Sequence, residues 1–298
     1  MIFRKSKPAH SLPGWRPGRG YDLVVPSQSN GDLLIVIHGF THDGKVMSAL
    51  TSPNGDPAHS ESLDSLARQE GLILCYPNGT PLSIMPGRCW NGGGGRNGYC
   101  AVAKKAVDKK VDDVKYLEEL IKHLSSLHPV ERVFLTGISN GAALAHRFAT
   151  ERPELVQALA VVAGCNQHAA SEESIPPQPV PLLHIHGSAD PIWPYDGGRI
   201  PTQGRLDSVA SSLRIWAEAN SAHIQDEREL PEHRHQELKV NFTRYEGKKP
   251  IELYRVEGGG HTWPGGQQYL PKKMIGPVHP RFSASRTILS FLKRSGEM

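Results

Sequence analysis

Short apolar runs punctuate the chain at Leu33–Ile37, Leu72–Tyr76, Arg132–Thr136, Ala158–Val162 and Leu182–Ile185, and each gives way to a turn containing glycine or proline. The runs are near-continuous rather than alternating, as strands covered on both faces require. Between them the apolar period lengthens. Val114, Leu117, Ile121 and Leu124 recur at helical spacing, with Asp112 or Asp113 available to cap the start. Leu206, Val209, Leu213 and Trp216 repeat the pattern, and Ile288, Phe291 and Leu292 predict a closing helix. Strands alternating with helices predict an α/β fold with a mostly parallel central sheet flanked by helices.

No repeat or low-complexity tract divides the 298 residues, which therefore read as a single catalytic domain, 1–298. Residues 1–19, with Pro8, Pro13 and Pro17, read as an extended N-terminal segment. The polar, proline-bearing segments 166–180 and 221–237 read as surface loops.

Composition narrows the function classes. The net charge is +4 and the basic residues are scattered, the longest runs being pairs such as Lys104-Lys105, so no nucleic-acid partner is expected. No apolar stretch approaches the roughly 20 residues of a spanning helix, so no membrane partner is expected either. The N-terminus lacks the apolar region of a signal peptide, which implies a cytoplasmic protein as given, or a secreted one whose leader has been removed. Four cysteines are too few for a disulfide scaffold. Cys75 lies in an apolar run and reads as a buried thiol, while Cys89 and Cys100 flank a glycine loop and could pair in an oxidising compartment. Nothing in the sequence specifies an oligomeric state.

The strongest chemical signal is Gly137-Ile138-Ser139-Asn140-Gly141, a Gly-x-Ser-x-Gly placed directly after a strand and directly before an apolar-periodic helix. In that context the serine sits on a sharp strand-to-helix turn, and the flanking glycines remove side chains that would clash there. A serine hydroxyl needs a base to become a nucleophile at neutral pH, and in the α/β-hydrolase arrangement the acid and the histidine follow in that order on later strand-end loops. Asp190 fits the acid, just after Leu182–Ile185 and His186-Gly187-Ser188. His261 fits the base, after the apolar run Ile251–Val256 and Gly258-Gly259-Gly260. Among the rivals, Asp207 falls in a helical pattern and Asp196 lies further from its strand. His146 falls on the helix after the elbow, and His233 and His235 sit in a polar segment with no strand before them. Two backbone N–H groups must face the developing oxyanion. Asn140 supplies one, and the turn His38-Gly39-Phe40-Thr41 supplies the other, from Phe40 or from Thr41.

These residues resemble an esterase family that includes polyhydroxybutyrate depolymerase-like proteins, feruloyl esterases and acetylxylan esterases. The resemblance rests on His38-Gly39-Phe40-Thr41, Trp90-Asn91, Val111-Asp112-Asp113-Val114, the serine motif, His186-Gly187-Ser188-Ala189-Asp190 and Gly259-Gly260-His261-Thr262-Trp263-Pro264-Gly265. It runs from about residue 20 nearly to the C-terminus, and it implies ester hydrolysis through an acyl-serine intermediate without a cofactor. Two departures stand out: family members are often secreted, and the residue after His38-Gly39 is commonly cysteine where this chain has Phe40.

Other signals lead elsewhere. Gly93, Gly95 and Gly98 satisfy G-x-G-x-x-G, but no strand precedes them and no helix opens on them, so they do not read as a dinucleotide site. His184 and His186 share one face of a strand; zinc would need a third ligand, none stands at convincing spacing, and the pair reads as structural. Trp90, Trp193 and Trp263 lie near the predicted site loops and are assigned to substrate contact, with packing around the site as the alternative. The expected function is thus a serine esterase acting on feruloyl or acetyl esters of polysaccharide or on short hydroxyalkanoate esters. A peptidase of the same fold and a non-catalytic binding protein are the alternatives.

Overall fold

A computed structural model describes residues 7–16, 18–82, 87–94, 110–167, 175–200 and 204–297. Its centre is one sheet whose strands are, in chain order, β1 (His10–Ser11), β2 (Gly20–Val24), β3 (Asp32–Ile37), β4 (Ile73–Pro77), β5 (Arg132–Ile138), β6 (Ala158–Val162), β7 (Leu182–Gly187), β8 (His223–Glu229), β9 (Lys239–Glu246) and β10 (Ile251–Glu257). The spatial order is β1-β2-β4-β3-β5-β6-β7-β10-β9-β8. The six strands from β4 to β10 in that order are parallel, and an antiparallel pair closes each edge.

The apolar runs are continuous because both faces are covered. Leu33, Ile35 and Ile37 of β3 belong to one core, and Leu34 and Val36 to the other. Among the described residues, the helices longer than one turn are α1 (Gly44–Leu50), α2 (Leu63–Glu70), α3 (Asp113–Leu127), α4 (Asn140–Glu151), α5 (Val209–Asn220) and α6 (Ala284–Gly296). Trp216 of α5 joins the first core, while Ile288 and Phe291 of the predicted closing helix α6 join the second. Asp112 caps α3 through the Lys115 N–H at 2.9 Å, whereas Asp113 turns fully inward.

Two expectations are revised. Segment 221–237 is not all loop, because it contains β8, the outermost strand. That strand reads His-Ile-Gln-Asp-Glu-Arg-Glu and is open to solvent on both faces, so it carries no apolar alternation to betray it. His233 and His235 therefore do follow a strand, though a polar one. The N-terminal segment is also partly built in: Leu12 and Arg19 are buried. The Arg19 guanidinium bonds Asp113 and lies 4.1 Å from the ring centre of Tyr116 and 4.9 Å from that of Trp15. A buried cation at that position is tolerable only because a carboxylate and aromatic faces replace its water. Within 166–180, residues 168–174 lie outside the described residues, while Asn166, Gln167 and Val180 at its ends are buried. Among the described residues, no helix is long and apolar enough to cross a membrane.

Candidate active site

Strand β5 ends at Ile138, and Ser139 turns the chain into α4 with φ 58° and ψ −121°. A non-glycine residue in the positive-φ region is costly and persists only where its surroundings hold it. Here the Ser139 N–H donates to the Val162 carbonyl at 3.0 Å. The flanking glycines are needed by proximity: a Cβ on Gly141 would lie 2.3 Å from the Ile37 carbonyl oxygen, and one on Gly137 would lie 2.7 Å from the Gly141 carbonyl carbon.

Asp190 follows β7, and His261 follows β10, the strand paired in parallel with β7. The two loops approach so closely that a Cβ on Gly187 would lie 2.3 Å from the Gly259 carbonyl oxygen. Both residues are buried, and His261 Nδ1 meets Asp190 Oδ2 at 2.7 Å. Asp190 Oδ1 accepts the Ile192 and Trp193 N–H groups, each at 2.8 Å. His186 Nε2 stands 3.4 Å from Oδ2 and donates to the Trp193 carbonyl at 2.8 Å. Burial alone would push the Asp190 carboxyl up, but His261 and His186, through charge and hydrogen bonding, hold it well below the ordinary value. The backbone of His261 is pinned as well: its N–H donates to Ile275 and its carbonyl accepts from the Tyr269 hydroxyl at 3.0 Å.

The turn after β3 is locked differently. His38 is fully buried; the Gly79 N–H donates to its Nε2 at 3.1 Å, so Nδ1 carries the proton and donates to the Gly39 carbonyl at 2.8 Å. Burial lowers the pKa of this imidazole to about 3 and keeps it neutral. Trp90 Nε1 donates to the His38 carbonyl at 3.0 Å, and the Asn140 side chain clasps the Trp90 backbone at both its N–H (2.8 Å) and its carbonyl (3.1 Å). Trp90, through its indole and its main chain, thus ties the turn after β3 to the first residue of α4. The Thr41 N–H is spent on the Arg88 carbonyl at 2.8 Å, which removes Thr41 as an oxyanion donor. Among the described residues, the N–H groups of Phe40 and Asn140 donate to no protein acceptor.

The chain is similar in sequence to proteins named as esterases. The putative esterase NocK of Nocardia uniformis subsp. tsuyamanensis is 30% identical over 200 residues, 60% of this chain and 57% of that protein. Feruloyl esterase B of Piromyces equi is 23% identical over 207 residues, 66% of this chain and 35% of that protein. Among solved structures, an acetyl xylan esterase from Aspergillus awamori superposes with a TM-score of 0.53 at 15% identity, covering 88% of this chain and 93% of that one. The chain has the α/β-hydrolase fold, and the curated relatives it resembles in sequence are named as esterases. It spans 57% and 35% of the lengths of the two curated relatives. No family model matches it.

Within this α/β-hydrolase fold Asp190 and His261 are joined, and Ser139 lies on the same end of the sheet. The third link is not formed: among the described residues, neither Ser139 Oγ nor His261 Nε2 makes a hydrogen bond. The assignment of Trp90, Trp193 and Trp263 to substrate contact is corrected, because their relative exposures are 0%, 1% and 0%. Each indole is instead a tie inside the scaffold. Trp193 donates through Nε1 to the Asp207 carbonyl and braces the acid loop, and Trp263 donates to Ser285 on α6. The large apolar side chains left exposed on the site loops are Phe40 on the turn after β3, Ile192 beside the acid, and Met274, next to the residue that pins His261. Sequence reasoning named Phe40 only for its backbone N–H and missed Ile192 and Met274, along with His42 and Tyr269. His42 is buried with its Nδ1 unpartnered, and its ring meets that of Tyr269 edge-on at 5.3 Å. Only the spacing of His42 from the His-Gly pair hinted at it. Cys100 lies outside the described residues, so the pairing with Cys89 does too.

Proposed function

We propose that the protein hydrolyses carboxylic esters through an acyl-serine intermediate, with Ser139 as nucleophile, His261 as general base and Asp190 as its orienting acid. The observation that carries this reading is the 2.7 Å contact of His261 Nδ1 with a carboxylate whose other oxygen is already held by two backbone N–H groups. Such a carboxylate fixes the ring so that Nε2 is the nitrogen left for the serine proton. Catalytic hydrogen bonds are often loose in the absence of substrate and tighten on binding, which accounts for the unmade link to Ser139.

Ser139 Oγ attacks the ester carbonyl while Nε2 takes its proton. The N–H groups of Phe40 and Asn140 receive the oxyanion, at the positive end of α4. His261 then returns the proton to the departing alcohol, and water repeats the sequence to release the acid. Acetyl or feruloyl esters of polysaccharide are the first substrates to compare, the exposed Phe40 and Ile192 offering apolar surface to an aryl acyl group, and short hydroxyalkanoate esters are the next. The relatives named as acetyl xylan and feruloyl esterases support this ordering.

The test is p-nitrophenyl acetate hydrolysis by wild type and by Ser139→Ala. Loss of the nucleophile lowers kcat by about 10⁶, and a variant retaining most of the activity would overturn the assignment. Methyl ferulate, acetylated xylan, hydroxybutyrate oligomers and peptide amides then separate the substrate classes.

A further inference from the structure

Behind the acid loop lies a buried cluster that the ester-cleaving arrangement does not require. His184 and His186 project from the same face of β7. Cys165 follows β6, the neighbouring strand, in which Val161 pairs with His184 and Val162 with Ile185. The third ligand that spacing along the chain did not show thus comes from the adjacent strand end. One ligand atom from each of Cys165, His184 and His186 lies within 4.8 Å of the other two, and all three residues are essentially inaccessible.

We propose that Cys165, His184 and His186 form a structural site for a thiophilic d¹⁰ cation, Zn²⁺ or Cu⁺, inside the domain. The facing nitrogens, His184 Nε2 and His186 Nδ1, are 3.1 Å apart. Two imidazoles on one tetrahedral zinc, each at about 2.0–2.1 Å, stand about 3.3 Å apart, so the rings need separate by only a few tenths of an ångström. The thiol must swing inward by at most about 1 Å, since sulfur at about 2.3 Å from the ion stands about 3.6 Å from each nitrogen.

His186 already has the outer support that metal-bound histidines show. Its remaining nitrogen donates to the Trp193 carbonyl at 2.8 Å and faces Asp190. That bond leaves Nδ1 as the lone-pair nitrogen, turned toward His184. One imidazole pair with one thiolate is a donor set suited to zinc and to copper(I) and unsuited to calcium or magnesium. When the ion binds, the sulfur–metal bond replaces the S–H bond and that proton leaves to solvent, while the His184 proton shifts from Nε2 to the unpartnered Nδ1, freeing Nε2 to ligate. No electron is transferred if the copper arrives as Cu⁺. The competing arrangement is a plain hydrogen bond from His184 Nε2 to His186 Nδ1. It accounts for the 3.1 Å contact, with the thiol then set beside the rings and the Trp193 indole.

This proposal shares only His186, the neighbour of Asp190, with the esterase reading, and metal content tests it independently of activity. Protein without a histidine tag is expressed in zinc-supplemented and in copper-supplemented medium, passed over chelating resin and measured by plasma mass spectrometry. The expected result is about one equivalent of one of the two metals per chain, lost in Cys165→Ala and in His184→Phe. Wild type grown with cobalt should show a sulfur-to-cobalt charge-transfer band and tetrahedral ligand-field bands. That readout does not depend on either variant folding. Wild type holding only trace metal from both media, with no such bands, overturns the site. So does full metal content in a folded Cys165→Ala.

Discussion

The turn after β3 and the loop after β7 border the same site but are held by different physics. Around the turn every tie is neutral: an imidazole kept unprotonated down to about pH 3, an indole N–H, and an amide that bonds the Trp90 backbone twice. Around the acid loop the ties converge on one buried carboxylate, which collects two backbone N–H groups and two imidazoles. Neutral hydrogen bonds of well-packed groups are indifferent to ordinary changes in pH. A buried anion is not, because its cost of burial is offset only while its partners are in place. Geometry for the oxyanion and responsiveness to protons are therefore housed on separate strands.

The comparison can be broken most severely at the charged half. Asp190→Asn keeps the shape and loses the charge, and kcat for p-nitrophenyl acetate should fall by about 10⁴ with KM little changed. A fall below tenfold would mean that Asp190 does not orient the base. On the neutral half, Asn140→Ala leaves the backbone N–H of residue 140 in place but strands both polar groups of Trp90. We expect a loss of about 3 kcal/mol in urea denaturation and a fall in kcat of up to about a hundredfold from misplaced donors. An unchanged midpoint would mean that the clasp is not what holds the turn.

Proton linkage sharpens the contrast. The Asp190 carboxyl is depressed in the folded state, so its contribution to stability is fully present above its ordinary value of 3.8 and is lost as the pH falls through the lower folded value. Wild-type stability should decline on that acid limb, and Asp190→Asn should flatten it. His38→Gln should leave the limb as it is. The smallest effect belongs to the rim: Ile192→Ala should raise KM for an aryl ester by about fivefold at constant kcat, the worth of a half-covered side chain.

Much of this was legible before any coordinates. Buried parallel strands write themselves as unbroken apolar runs, and β3, β4, β5, β6 and β7 were located to within two residues at either end. The strand-end positions of Ser139, Asp190 and His261 were legible because each lies near glycines that the local turn requires. What was hidden was hidden for stated reasons. β8 has no buried face and so leaves no period. The burial of Trp90, Trp193 and Trp263 depends on neighbours distant in sequence, and an indole near a predicted cleft reads the same whether it faces solvent or core. Cys165 meets His184 and His186 only because β6 and β7 are adjacent, an adjacency that spacing along one strand cannot express.

The edge strand has one more consequence, for life at high protein concentration. A sheet that ends in an open strand offers a row of unpaired amide and carbonyl groups to any second chain that lines up beside it. Here the exposed row carries Asp226, Glu227, Arg228 and Glu229, and its register against β9 slips between Ile224 and Asp226. A docking copy would have to desolvate those charges and follow a bent, strongly twisted edge. The polarity that concealed this strand from a pattern reading is thus also what guards the molecule against growing into a fibre.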